Sequence, residues 1–212
     1  MIIFLPVLGS LIYVVTQVFN KTNLDVVQDE IVQMINPSKK INDLQKQLDF
    51  ADTFQNHVNL ADAFFEAGDY NNAIATYEKA IKDDYSKDDG VVKKLIVSYS
   101  KTGDHDKTVF CAEKIVGKPG FKGSKSQFLY GLALEELERS EEAEENLKAI
   151  DQRYSNYRER YILAQYFIDK GKSKDGKEIL LEIISESQHM SKPNRIKYKD
   201  VVNDVKKLES SL

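Results

Sequence analysis

Apolar side chains recur at helical spacing along most of this chain. Leu24, Val27, Ile31 and Met34 step by three, four and three residues, and so do Ile41, Leu44, Leu48 and Ala51, which makes two amphipathic stripes. Asn36-Pro37-Ser38 separates them, with Ser38 placed to cap the second helix. Ahead of both, residues 1–19 (MIIFLPVLGSLIYVVTQVF) carry no charged side chain. At about 1.5 Å of rise per residue such a helix spans about 28 Å, close to the roughly 30 Å of a bilayer's hydrocarbon. A transmembrane anchor is the expectation for 1–19, with a buried first helix and a cleaved secretory signal as alternatives. A signal normally opens with Lys or Arg and closes on an A-x-A-like site, whereas the first basic side chain here is Lys21. Lys21, Lys39 and Lys40 follow the segment, which favours a single-pass protein with its soluble domain in the cytoplasm and leaves the periplasmic side open. Residues 20–53 then read as membrane-proximal helices.

From Phe54 the pattern repeats. Four stretches starting at Phe54, Asp89, Ser124 and Tyr157 lie 35, 35 and 33 residues apart. Seventh in each stand Leu60, Leu95, Tyr130 and Leu163, and eleventh Phe64, Tyr99, Leu134 and Phe167. These line one face of a first helix. Gly68, Gly103 and Gly171 mark a tight turn, with Glu138 in that place in the third stretch. Twentieth come Ala73, Thr108, Ala143 and Gly176, small enough for a second helix to cross closely. Tyr77, Ala112, Leu147 and Leu180, then Ala80, Ile115, Ile150 and Ile183, carry that helix's apolar face.

These residues resemble the tetratricopeptide repeat, a unit of about 34 residues built as helix, turn, helix. Leu60-Ala61, Phe64, Gly68-Asp69-Tyr70, Ala73, Tyr77 and Ala80 carry the resemblance in the first stretch. His57, Val92, Gln127 and Arg160 depart from it, since the family usually has an aromatic there. The resemblance implies an all-α fold, a tetratricopeptide-type α-solenoid of about four helix-turn-helix repeats over 54–190. A stack needs a polar-faced end, and Tyr198, Val201, Val202, Val205 and Leu208 after Ser191-Lys192-Pro193 predict a C-terminal capping helix over 191–212.

Composition narrows the function. With 34 acidic against 30 basic side chains the net charge is -4, so the chain lacks the basic footprint of a nucleic-acid binder. A single cysteine, Cys111, excludes an intramolecular disulfide and a thiolate metal cluster. No phosphate-cradling loop, dinucleotide fingerprint, nucleophile elbow or H-E-x-x-H stands in the sequence, and GKPGFKG (117–123) lacks the Lys-Ser/Thr pair of a phosphate loop. His57, His105 and His189 are scattered among the repeats without a metal-binding spacing. No enzyme, no cofactor, no metal and no small-molecule substrate are expected. Glu135 to Glu145 is an acidic run, read as a solvated face or as a patch for a basic partner.

What remains is an interaction module. In the family that the sequence resembles, the first helices line the peptide groove, which points to Phe65, Lys93, Lys94, Val97, Lys101, Phe128, Tyr161 and Gln165 as partner-binding residues. Lysines beside apolar groups suit an acidic peptide, because charge steers it and apolar contact holds it. The sequence therefore predicts a membrane-anchored scaffold or adaptor that binds a protein or peptide. The alternative is a structural subunit of a membrane-protein biogenesis or secretion complex.

Overall fold

The computed structural model describes residues 37–86 and 88–212, which form eleven helices and no strand. The expected anchor and the Leu24 to Met34 stripe lie outside the described residues. The chain divides into two compact parts, one ending at Ala80 and one running from Ile81 to Leu212.

In the first part, α1 (Pro37–Phe50) precedes α2 (Phe54–Glu66), and α3 (Tyr70–Ile81) closes it. α1 starts at Pro37, one residue before the predicted cap, because proline's fixed φ suits a first helical turn. Its stripe of Ile41, Leu44 and Leu48 is half-buried. Thr53 caps α2 by accepting from the backbone N–H of Asn56 at 3.2 Å. Asp69 caps α3 in the same way through Asn72, also at 3.2 Å. The Tyr77 hydroxyl donates to Asp62, tying α3 back to α2.

The second part stacks three helical hairpins and an end cap. α4 (Asp89–Thr102) pairs with α5 (His105–Glu113), α6 (Lys125–Glu136) with α7 (Ser140–Lys148), and α8 (Tyr157–Asp169) with α9 (Ser173–Gln188). α10 (Lys192–Lys197) and α11 (Lys199–Glu209) follow, and α11 lies against α8 and α9. Val201, Val202 and Val205 enter the core there, while Tyr198 meets Tyr157 edge-on with ring centroids 4.9 Å apart. This is the predicted capping helix. Covering one medium apolar side chain is worth about 1.5–3 kcal/mol, so three valines suffice to hold a short helix whose other face is charged.

The hairpin turn follows from one backbone device used in all four repeats. Gly68, Gly103 and Gly171 adopt φ 76°, and Glu138 adopts φ 60° in the third repeat. Each left-handed residue lets the next N–H reach back to a carbonyl of the final helical turn. Asp69 bonds Phe64, Asp104 bonds Tyr99, Arg139 bonds Leu134 and Lys172 bonds Phe167, at 2.9, 3.0, 2.9 and 2.7 Å. The small residues predicted at the crossing are buried throughout. Gly176 is the tightest of them, since a Cβ there would stand 2.7 Å from the Ala164 carbonyl oxygen and from Ile168 Cγ1.

One expectation is corrected. The single-pass membrane localisation has no support, because among the described residues no helix is long and apolar enough to cross a membrane.

Candidate partner-binding surface

The first helices α4, α6 and α8 lie side by side in the second part. α4 neighbours α6, and α6 is joined to α8 by Glu135, which accepts from the Tyr166 hydroxyl at 3.3 Å and from Lys170. Burial pushes the Tyr166 phenol up to about 12, with the Glu135 charge adding to it. The Lys170 ammonium in turn holds the Glu135 carboxyl below its ordinary range.

Lys93, Lys94, Val97 and Lys101 fall along one side of α4 at spacings that bring them onto a shared strip. The first three are half-buried and Lys101 is exposed in the last turn. Gln165 is half-buried on α8. Tyr161, one turn earlier, packs against the core cluster. Its phenol is raised by burial and then by the Asp204 charge. Phe128 is 2% exposed and packs within the core cluster that holds Leu147 and Leu163. It is withdrawn from the binding set, because a side chain without surface has nothing to offer a partner. Phe65 belongs to the first compact part, where it meets Tyr70 edge-on at 5.7 Å.

Three glutamates of the acidic run, Glu135, Glu142 and Glu144, are paired. Arg139 makes a two-pronged contact with Glu142 at 2.8 Å for each prong. Glu144 accepts from Lys148 at 2.6 Å and from Lys172 at 2.5 Å, which lowers its carboxyl pKa. Glu135 and Glu144 thus join repeat three to repeat four through Lys170 and Lys172.

Sequence reasoning missed the most heavily partnered site. The fourth position of each repeat, where the family favours an aromatic, carries a polar group in three repeats, and each has a companion. His57 Nε2 contacts Asp52 Oδ1 at 2.7 Å. Gln127 accepts from the Gly123 N–H at 2.7 Å and donates to Asn146 at 3.1 Å. Arg160, fully buried, donates to Asp151 at 2.7 Å, Glu182 at 2.8 Å and Glu186 at 3.0 Å. Glu186 also accepts the Tyr154 N–H at 2.7 Å. The sequence signal was the departure from the aromatic itself; the companions are set by tertiary contact. Among the described residues no group of three His, Cys, Asp or Glu side chains is arranged to hold a metal ion.

The repeated turn, the small crossing residues and the helix pairing agree with comparison to known proteins. Residues 54–82 match the family model of the tetratricopeptide repeat. Solved structures superpose on the chain at low identity. MamA (residues 41 to end) from Desulfovibrio magneticus RS-1 covers 81% of this chain and 98% of its own, with 15% identity and a TM-score of 0.68. YrrB, described as a TPR protein with an unusual peptide-binding site, covers 79% of this chain and 84% of its own, with 14% identity and a TM-score of 0.55. BtubC from P. vanneervenii covers 82% of each chain, with 17% identity and a TM-score of 0.51. No curated protein sequence matches the chain. At these identities the likeness is one of fold.

Proposed function

We propose that this chain is a non-catalytic protein-interaction scaffold that takes an acidic, partly apolar segment of a partner along the first helices of its second part. The observation that carries the reading is the strip of Lys93, Lys94, Val97 and Lys101 on α4. Three ammonium groups on one helix side attract a carboxylate-bearing segment, and Val97 among them supplies the contact that excludes water. Gln165 on α8 extends the surface with a donor and an acceptor. The tetratricopeptide-type fold supports the reading, since such preformed helices bind without first paying to order a chain.

A fluorescent peptide of alternating acidic pairs and leucines, titrated against the full chain, tests the assignment. Reversing charge at Lys93, Lys94 and Lys101 to Glu is expected to weaken binding at least about tenfold, as loss of several steering charges does. Helix content by circular dichroism stays the same. Equal binding by the reversed chain removes the α4 strip from the site.

A further inference from the structure

The hairpins of the second part turn at Gly103, Glu138 and Gly171, so the connections between repeats leave from the opposite edge. The connections 114–124, 149–156 and 189–198 also meet in series. An added Cβ at Gly123 would stand 3.2 Å from the Ala149 carbonyl oxygen, and the Tyr154 N–H donates to Glu186, near the end of α9, at 2.7 Å. They form one continuous edge.

That edge has a repeated composition. Each connection projects one large apolar side chain, Val116 at 53% exposure, Tyr154 at 64% and Ile196 at 71%. Each stands beside cations, since Lys114 and Lys118 flank Val116, Arg153 precedes Tyr154, and Arg195 and Lys197 enclose Ile196. Residues 114–125 and 188–199 each carry four cationic side chains and no carboxylate. Lys118 meets Asp89 at 3.7 Å and Arg153 meets Glu186 at 3.4 Å, while Asp151 is taken by Arg160. Arg195 donates to the Met190 and Gln188 carbonyls at 2.9 and 3.3 Å, which holds it in place without cancelling its charge. Lys122, Lys125, Lys192, Lys197 and Lys199 have no carboxylate partner among the described residues. The connection ahead of α4 is acidic, with Asp83, Asp84 and Asp88, so the basic edge begins after α5.

We propose that this edge docks on an anionic lipid surface, with Val116, Tyr154 and Ile196 entering the headgroup layer and the lysines meeting lipid phosphates. The contact lies on a membrane and crosses nothing. Lipid is the occupant because the apolar groups come singly, one to a connection, each beside positive charge. A protein interface gathers its apolar contacts into a packed centre, and a nucleic acid binds through phosphates and stacked bases, which Val116 and Ile196 do not serve. A fluid headgroup layer accepts isolated side chains, and tyrosine is favoured at that depth.

Intrinsic fluorescence tests this, because the chain has no tryptophan. Ile196→Trp or Val116→Trp places a single indole on the edge, and Asp169→Trp places one at the opposite edge, where Asp169 is exposed. The full chains are titrated with phosphatidylcholine vesicles containing about 30% phosphatidylglycerol, a composition that gives the surface a negative potential. Emission is expected to shift to the blue, and to be quenched by lipids brominated in their acyl chains, for the first two variants only. Pure phosphatidylcholine vesicles should give no shift, and about 500 mM salt should abolish it, since the screening length then falls to about 4 Å. Reversing Lys122, Lys125, Lys192 and Lys197 to Glu in the Ile196→Trp chain should raise the lipid concentration at half-maximal shift at least about tenfold. The indole reports its own surroundings, so vesicle contact by another part of the chain does not register. Unshifted edge indoles on anionic vesicles, an equal response on neutral ones, an equal shift for Asp169→Trp, or a reversed chain that responds like its parent each overturns the proposal. A shift with heparin or an acidic peptide but none with vesicles also overturns it, and assigns the edge to a polyanion or a protein.

Discussion

Arg160 Nη1 donates to Glu186 Oε2 across 3.0 Å, and both side chains are closed off from solvent entirely. The pair joins α8 to α9 at the level where the chain enters repeat four. Asp151 accepts from its Nε and Glu182 from its Nη2, while Arg153 at 3.4 Å and the Tyr154 N–H engage the Glu186 carboxylate from the loop. A guanidinium in an apolar stack is tolerated because each of its nitrogens has a carboxylate partner, and so its loss is felt through the partners it leaves behind.

Removing one partner is therefore expected to be severe. Arg160→Met should lower the unfolding free energy by about 3–5 kcal/mol, since it leaves a buried carboxylate short of its counter-ion. Replacing Arg160 and Glu186 together by Met and Leu should cost markedly less than the sum of the single changes. Urea unfolding of the four chains measures this coupling, and strict additivity would contradict the network.

Glu138 holds the turn that glycine holds in the other repeats, at φ 60°. A side chain in that region costs about 1–2 kcal/mol, so Glu138→Gly should stabilise the chain by about 1 kcal/mol once glycine's greater freedom when unfolded is subtracted. A higher midpoint of urea unfolding at constant slope is the expected reading.

Gly176→Ala should act in the opposite direction. Its new Cβ meets the Ala164 carbonyl and Ile168 at 2.7 Å, and α9 can relieve that only by moving away from α8. Such overpacking costs about 1–3 kcal/mol. Gly117→Ala, at a loop glycine whose added Cβ meets nothing within 4 Å, isolates the backbone cost of a φ of 82° from that of crowding.

Acid should loosen the join between repeats three and four. The Glu135 pKa is lowered by its hydrogen bond from Lys170, and that of Glu144 by Lys148 and then Lys172. A depressed carboxylate contributes its full stability above the unfolded pKa of about 4.3, and that contribution drains away as pH falls through the lower folded value. Urea midpoints taken from pH 6 down to about pH 3 should fall more steeply for the parent than for Lys170→Met. Parallel curves would mean that the Lys170 contact does not stabilise the fold.

Sequence by itself determined the repeating frame. Small residues at Ala73, Thr108, Ala143 and Gly176, large ones at Leu60, Leu95, Tyr130 and Leu163, and a turn residue at Gly68, Gly103 and Gly171 are local requirements of a helix, a turn and a close crossing. Each can be read from side-chain size and spacing alone. The same holds for the cap, where Val201, Val202 and Val205 recur at helical steps.

Tertiary structure alone decided which side chains remain accessible and which charges are already engaged. Phe128 sits on the first helix of its repeat as expected, yet it is buried in the core cluster, and Tyr161 packs against that cluster. Within the acidic run Glu135 is tied to Lys170 and Glu144 to Lys148 and Lys172, and Arg160 finds Asp151, Glu182 and Glu186 from 9 to 26 residues away. Spacing fixes a residue's direction on its own helix. What stands in that direction depends on the packing of the next one, and that contact is made in space rather than along the chain.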